Sequence, residues 1–346
     1  MLEARSGGKS SKREKEASAR LSVEALEGKV AGAFEHAGAS PANARSVARA
    51  LVAAEADGLK GHGLSRLASY LDMLATRKVD GNAVPVASHP RPGILAIDAA
   101  QGFAYPALDL AIAELPAIAR EQGIAAAPIR RSNHCGVAGH PAERLAAAGL
   151  VALVFANTPS AIAPYGGHAP AFGTNPIAFA APLAGRPPAV VDLSVSKVAR
   201  GNIIAAKQKG EAIPEGWALD AQGRPTTDPA AALAGTMVPL GGAKGAALAF
   251  MVETLAACLV GANLAFEAST FFDGEGPPPE TGQLVIAFAP QAFGHARFAE
   301  RIATLAAMVE NQPGARLPGT RRLAHRQTAT RDGLPVAPGI AKLIGM

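Results

Sequence analysis

Apolar residues recur along this chain in two periods. The run "LSVEALEGKVAGAFEHAGAS" from Leu21 has helical spacing of Leu and Val and opens on Ser22, a side chain suited to cap a helix N-terminus. "PANARSVARALVAAEADG" follows, with Ser40 as cap and Pro41 in the first turn. "SRLASYLDMLATRK" predicts a third helix. Between the second and third helices lies "ADGLKGHGLSR", where the helical pattern breaks around His62 and places Arg66 four residues later.

From about residue 94 the pattern changes. "GILAIDA", "GIAAAPIRRS", "GLVALVFAN", "NPIAFAAP" and "AVVDLS" are short apolar runs bounded by Gly, Pro and Asn, and they predict strands, several buried on both faces. "YPALDLAIAELPAIAREQG" and "GHPAERLAAAG" are helices between some of them. "TDPAAALAG" predicts another, capped by Asp228 with Pro229 behind it. The run "AALAFMVETLAACLVGA" is short for a membrane span and carries Glu253 in its middle, so it predicts a buried core helix. "GQLVIAFAP" is a late strand, "AERIATLAAMVENQPG" a late helix, and "RLPGTRRLAHR" a basic loop. The fold class is α/β, of α+β type with a mixed sheet and helical ends. A helical lobe over 21–85 and 315–346 is expected to pack on a mixed-sheet lobe over 86–314.

Composition narrows this. Of 346 residues, 49% are hydrophobic and 18% charged, as in a soluble globular enzyme, and aromatics are only 5%, so Ala, Leu, Val and Ile must build the core. The net charge is +5, but residues 1–20 hold six Lys or Arg against three Glu. The basic excess belongs largely to a polar segment read as a disordered tail, and a near-neutral body argues against a nucleic-acid surface. No membrane partner is expected. Cys135 and Cys258 form no motif and are read as reduced thiols in a cytoplasmic protein. An apolar signal region is missing at the N-terminus.

Common catalytic signatures are absent: there is no G-x-G-x-x-G, Walker loop, HExxH or G-x-S-x-G. No histidine spacing suits a metal, so no metal is expected. What remains is polar residues set in glycine-punctuated apolar runs. His62 with Arg66 pairs a proton donor suited to neutral pH with a guanidinium suited to a carboxylate. "RSNHCGVAG" puts His134 and two glycines at a strand-to-helix turn, where a helix N-terminus favours an anion. Asn157, Thr158, Ser160, Thr174 and Asn175 stand at strand ends, where α/β sheets hold ligands. Asp192 could hold ribose hydroxyls, with Ser194, Ser196, Lys197 and Arg200 after it. Lys244 opens an apolar helix. Each of these segments is also ordinary turn or surface chemistry when taken alone.

Taken in order, "GHGLSR", "SNHCGVAG", "APYGG…FGTNPIAFAAP", "VDLSVSKVARGNI", "GWALDAQGRPTTDP", "PLGGAKGAALA" and "LPGTRR" resemble the malate/L-lactate dehydrogenase-like oxidoreductases over residues 21–335. "KGHGLSR" and "NTPSAIAPYGG" are most similar to its sulfolactate dehydrogenase branch. The resemblance implies a non-Rossmann NAD(P)-binding fold, a homodimer and a catalytic body over 21–335. It implies His62 as proton donor, with His134 the donor in some members, and Arg66 on the substrate carboxylate near Thr158 and Ser160. Cofactor contacts implied are His134, Cys135, Gly136, Val137, Ala138, Thr174, Asp192, Leu193, Ser194, Lys244, Pro318, Gly319, Arg321 and Arg322. The two arginines favour NADP over NAD. Imine-reducing relatives are expected to carry a serine and an aspartate that relay to the histidine; here Gly61 and Asn202 stand there. The lysine that ureidoglycolate enzymes place near Thr158 is missing.

The expected reaction is therefore NAD(P)H-dependent reduction of a small 2-oxo acid to its 2-hydroxy acid, with His62 acting as an imidazolium. A cyclic 2-imino acid reductase is the first alternative, and a non-catalytic nucleotide-binding protein the second.

Overall fold

The computed structural model describes residues 19–294 and 296–346. The expected tail therefore lies largely outside the described residues, but not its last members. Arg20–Leu21 form strand β1, and the Arg20 guanidinium donates to the carbonyls of Asp332 (2.8 Å) and Gly333 (2.6 Å). Arg20 is therefore part of the fold.

Helices α1 (Val23–His36) and α2 (Pro41–Ala56) begin where the caps predict: Ser22 Oγ accepts from Ala25 N, and Ser40 Oγ from Asn43 N. Two 3₁₀ turns, Lys60–His62 and Leu64–Arg66, lead into α3 (Leu67–Ala75). Then come β2 (Val86–Arg91), β3 (Ile94–Asp98), α4 (Ala104–Gln122), β4 (Ile124–Ser132), α5 (Gly139–Ala147), β5 (Val151–Ala156), β6 (Ile177–Leu183) and β7 (Arg186–Leu193). A second stretch holds α6 (Arg200–Lys209), β8 (Ala218–Leu219), β9 (Pro225–Thr226), α7 (Pro229–Ala234), β10 (Thr236–Met237) and α8 (Ala243–Glu253). α8 continues as a π-helical turn, Thr254–Cys258. β11 (Thr281–Phe288), α9 (Phe298–Glu310), α10 (Thr320–Asp332), β12 (Leu334–Pro335) and α11 (Pro338–Leu343) close the chain.

The main sheet runs β2-β3-β4-β11-β5-β6-β7. β3 and β4 pair in parallel across the α4 crossover, and every other neighbour in this sheet is antiparallel. β11 comes late in sequence but lies at the centre, between β4 and β5. α4 and α5 bury their alanine and leucine faces on the sheet, in one core that includes Leu95, Ile129, Leu145 and Val154. A second core joins α1–α3 to the C-terminal elements through Phe34, Tyr70, Phe103 and Ile344. A third gathers Ile162, Val195, Ile203 and Met237 around α6–α8. Each fully buried large aliphatic side chain contributes about 1.5–3 kcal/mol.

Three elements differ from expectation. The basic loop at the C-terminal end is loop only as far as Gly319, and Thr320–Asp332 is helix α10. α8 is not a buried core helix: Ala249 and Val252 face inward, but Leu248, Phe250 and Met251 are exposed, as is Leu259 beyond the π turn. β2 is an unforeseen edge strand whose residues are mostly exposed, so no alternation marks it.

Candidate active site

The break around His62 has a local cause. α2 ends at Ala56, and the carboxylate of Glu55 accepts from Leu64 N (3.1 Å). A Cβ at Gly63 would collide with that carboxylate, so glycine is needed where the chain folds back. The two 3₁₀ turns put His62 and Arg66 on one surface. Arg66 Nε donates to Gly61 O (2.8 Å), which fixes the guanidinium with its Cζ 4.6 Å from the centre of the Phe272 ring. Its Nη1 is buried and has no partner among the described residues; His62 Nδ1 is in the same condition. A buried guanidinium N–H without a partner is uncommon and costly, and at Arg66 it suits an acceptor such as a carboxylate.

His134 meets His62 from the other side. β4 delivers it through Arg131, at φ 47°, and the Asn133 side chain, whose Oδ1 accepts from His134 N (2.6 Å). Gln283 of β11 holds Asn133 O at 3.2 Å. The two imidazoles stack with ring centres 5.2 Å apart and planes 20° from parallel. Phe271 also packs on His134, its ring centre 5.2 Å away and its plane tilted by 45°. His134 Nδ1 lies 2.6 Å from Tyr70 Oη, which lies 3.0 Å from Tyr105 Oη.

This environment corrects the expected charge state of His62. Burial, then the Arg66 guanidinium, then His140 pull its pKa from 6.5 down to about 4. His134 is held well below its ordinary value by burial, Arg66 and His62. In the free protein both imidazoles are neutral near pH 7. An anion bound at Arg66 would offset part of this repulsion.

The wall that carries Phe271 and Phe272 is clamped. The buried Lys78 ammonium donates to Asp273 O (3.2 Å) and Glu275 O (2.5 Å), and Gly274 N donates to Asp72 Oδ2 (2.5 Å). Arg200 approaches Phe272 as well, its Cζ 5.9 Å from the ring centre, and has no ion pair or hydrogen bond among the described residues. Burial lowers its pKa. Sequence reasoning missed Tyr70, Tyr105, Phe271, Phe272 and Lys78, and offered Arg200 only among the polar residues that follow Asp192. Tyr70 was findable, since it follows Arg66 by four residues on a predicted helix. Phe272 had no local signal.

Other predicted residues are nearby but separate. Thr158 Oγ1 accepts from Thr174 N (2.9 Å), and Ser160 N donates to Ala265 O (2.9 Å). Asn157 and Asn175 are buried and donate to Glu253, whose pKa burial raises. These bonds support the strand ends, and none of them is made to an imidazole.

The residues implied for the cofactor converge. Asp192 Oδ2 accepts from Gly139 N (2.8 Å), and a Cβ on Gly139 would come within 2.9 Å of that oxygen. Val190 N meets Pro318 O at 3.4 Å, and Leu240 N donates to Val195 O (2.8 Å), so the Gly319 and Lys244 segments border the same strand end. Three helix N-termini stand there: α5, α8 behind Gly242, and α10 behind Gly319. Glycine-lined approach, exposed Lys244 and exposed Arg321 fit a nucleotide phosphate cradle. Arg322 does not fit a free phosphate ligand. It is buried, and its Nη2 pairs with Glu143 at 3.2 Å and its Nη1 with Asp57 at 3.7 Å. Arg326 grips the same two carboxylates, Asp57 at 2.8 Å with two nitrogens and Glu143 at 3.1 Å. His140 Nε2 completes the knot at 3.0 Å from Asp57. Among the described residues no group of three His, Cys, Asp or Glu is arranged to hold a metal ion.

The profile of the malate/L-lactate dehydrogenase family matches residues 21–344. The chain is 50% identical to a (2R)-3-sulfolactate dehydrogenase (NADP(+)) of Chromohalobacter salexigens over 310 residues, 89% of this chain and 92% of that protein. It is 41% identical to a Delta(1)-pyrroline-2-carboxylate/Delta(1)-piperideine-2-carboxylate reductase of Pseudomonas putida over 321 residues, 90% of this chain and 93% of that one. Among solved structures, the delta1-piperideine-2-carboxylate reductase of Pseudomonas syringae superposes with a TM-score of 0.89 at 37% identity, covering 94% of this chain and 98% of that one. The chain belongs to the malate/L-lactate dehydrogenase family of NAD(P)-dependent oxidoreductases.

Proposed function

We propose that this protein is an NADP-dependent 2-hydroxy acid dehydrogenase acting on a small substrate of the malate, lactate or sulfolactate type. The observation that carries the reading is the Arg66 guanidinium, anchored at Nε and unpartnered at buried Nη1, beside two stacked neutral imidazoles. A 2-oxo acid sets its carboxylate on Arg66 and its carbonyl against the imidazoles, with Thr158 and Ser160 on the strand-end side. The nicotinamide supplies hydride to C2. The chain's residues orient the acid, exclude water and hold the proton that the oxygen receives. His62 and His134 are the proton-holding pair. Cofactor phosphates rest on Lys244 and Arg321, with the 134–138 turn and 192–194 strand end completing the cradle.

The cyclic imine reading is weaker for a structural reason. Gly61 has no side chain, Asn202 is exposed on α6, and His62 Nδ1 has no hydrogen-bond partner among the described residues, so these residues supply no relay to His62 where that chemistry is expected to use one. A second copy of the chain covers the apolar outer face of α8, where Leu248, Phe250, Met251 and Leu259 are exposed. No helix of the described residues is long and apolar enough to cross a membrane. Both free thiols suit a cytoplasmic setting.

The test is NADPH and NADH oxidation with pyruvate, oxaloacetate, sulfopyruvate and piperideine-2-carboxylate, beside Arg66→Gln. Turnover of an oxo acid is expected, and Arg66→Gln should lower kcat/KM about 100-fold, the scale of a lost charge-assisted pair. Turnover of the imine alone would replace this reading with the other.

A further inference from the structure

We propose that Arg200 is a specificity-determining residue: with the Phe272 ring that it shares with Arg66, it forms a second anion subsite that selects 2-oxo acids carrying a sulfonate or carboxylate on C3. This rests on the dehydrogenase reading above and deepens it, from small acids in general to short dianions.

Two guanidiniums lie on one ring. The Arg66 Cζ is 4.6 Å and the Arg200 Cζ 5.9 Å from the centre of Phe272, so the two are at most 10.5 Å apart, the sum of those distances. A monoanion uses one of them. Arg66, held at Nε by Gly61 O, takes the carboxylate beside the reacting carbon. Arg200 then remains without an ion pair or hydrogen bond among the described residues. Asp273, the carboxylate next to the ring in sequence, turns to Lys78 at 3.6 Å instead. Lys78 also grips the carbonyls of Asp273 and Glu275, which fixes the ring that carries both arginines. Phe272 is 42% exposed, so the two cations meet at an open cleft. Arg200 is the first residue of α6, whose first turn holds no acid. The helix dipole disfavours a cation there, so the stability of α6 does not account for it.

The reach fits a short acid. An anion paired with a guanidinium sits about 4 Å from its Cζ. In a 2-oxo acid with a sulfonate or carboxylate on C3, the two anionic centres are three bonds apart, about 4 Å when extended. The full span of roughly 12 Å exceeds the 10.5 Å limit, so one acid can touch both arginines. C2, where hydride arrives, then lies between the two anions. Pyruvate and a cyclic 2-imino acid have no second anion and leave Arg200 unpaired. That difference, rather than the pairing at Arg66, separates the substrates. Arg200 touches the second anion alone and exchanges no proton, so the reaction itself is the same for every acid.

The experiment compares substrates that differ by one charge. With NADPH as reductant, kcat/KM is measured for sulfopyruvate, oxaloacetate and pyruvate in wild type, Arg200→Gln and Arg200→Lys. Wild type should prefer the dianions to pyruvate, and the sulfopyruvate and oxaloacetate arms show which second anion fits. In Arg200→Gln, kcat/KM for the dianions should fall about 10- to 100-fold further than that for pyruvate, the scale of a charge-assisted bond, and chiefly through KM. Arg200→Lys should recover part of the preference. Equal losses for all three acids overturn the proposal. So does a rise in the KM for NADPH that matches the loss, which would give Arg200 to the cofactor. Should Arg200→Gln fail to fold, wild type decides: the preference for dianions should be present at about 0.05 M salt and narrow at about 0.5 M, and its absence at low salt overturns the subsite. If wild type reduces no 2-oxo acid, the dehydrogenase reading falls and the subsite with it. If it reduces all three without preference, the subsite alone falls.

Discussion

Asp57 and His62 are five residues apart, yet they open two opposite electrostatic regions. Around Asp57, two arginines, two carboxylates and a histidine are mutually paired: Arg322 and Arg326 share Asp57 and Glu143, and His140 joins them. Around His62, Arg66 and Arg200 flank Phe272, and neither has a carboxylate partner among the described residues. The first region ties α2, α5 and α10 together and pairs each of its cations with a carboxylate, while Arg322 Nε and Nη1 stay buried without a hydrogen bond among the described residues. The second holds its cations ready for a ligand anion. Arginine count in a motif therefore says little about anion binding until the internal partners are known. "LPGTRR" contributes one exposed guanidinium, Arg321, and one that is buried beside the carboxylates of Asp57 and Glu143.

The largest expected effect comes from breaking the paired region. Asp57→Asn leaves Arg322, Arg326 and His140 facing each other around a neutral side chain whose native carboxylate is fully buried. Loss of one partner of a buried ion pair costs about 3–5 kcal/mol. Chemical denaturation should show a loss of that size, with Arg66→Gln, from the unpaired region, changing stability by less than about 1 kcal/mol. Equal losses would mean that the two regions do not differ as described.

Protonation sharpens the same contrast. The unfolded chain protonates His62 below about 6.5, but the folded protein does so only near 4. Between those values the unfolded state binds more protons, so stability falls as pH drops through the window. Asp57 is depressed from 3.8 to about 2 by His140 and Arg326, which outweigh burial. Its contribution is complete above 3.8 and is lost on the way to 2. Thermal unfolding across pH 7 to 3 should therefore lose stability in two stages. His62→Gln should flatten the upper stage without removing it, since His134 titrates low as well. If the oxamate carboxylate binds Arg66 as proposed, saturation with oxamate should raise the His62 pKa and give proton uptake between about pH 4 and 6.5. No uptake would separate His62 from the anion site.

The legibility of these regions in the sequence differs for a physical reason. α1 and α2 announce themselves because a cap and an apolar stripe are local signals; Ser22, Ser40 and Pro41 suffice. α10 does not, because its buried residues are Arg322 and Ala329, and its inner face is ionic where the period would be apolar. α8 misleads in the opposite sense, since apolar residues on its outer face look like core. In the site, His62, Arg66 and His134 stand out as polar residues in glycine-punctuated runs. The residues that decide their chemistry do not. Tyr70 and Tyr105 matter only because α3 and α4 bring two hydroxyls to 3.0 Å, and Phe272 only because Lys78 clamps its loop. Such pairings lie across long sequence separations and carry no periodic signature.

The smallest effect tests the comparison within one dipeptide. Arg321 is exposed at the start of α10 and has no ion pair among the described residues, whereas its neighbour Arg322 is buried in the Asp57 knot. An exposed guanidinium on a phosphate contributes about 1 kcal/mol, so Arg321→Gln should raise the KM for NADPH about fivefold and leave that for NADH within twofold. Arg322→Gln should instead lower the unfolding midpoint, because it leaves Glu143 short of a buried partner, and should weaken NADPH and NADH binding to the same degree. Titration of each variant with both cofactors, followed by nicotinamide fluorescence, reads this directly. A selective loss of NADPH affinity in Arg322→Gln, with Arg321→Gln unchanged, would show that the knot opens to admit the phosphate. The paired region would then be part of the cofactor site.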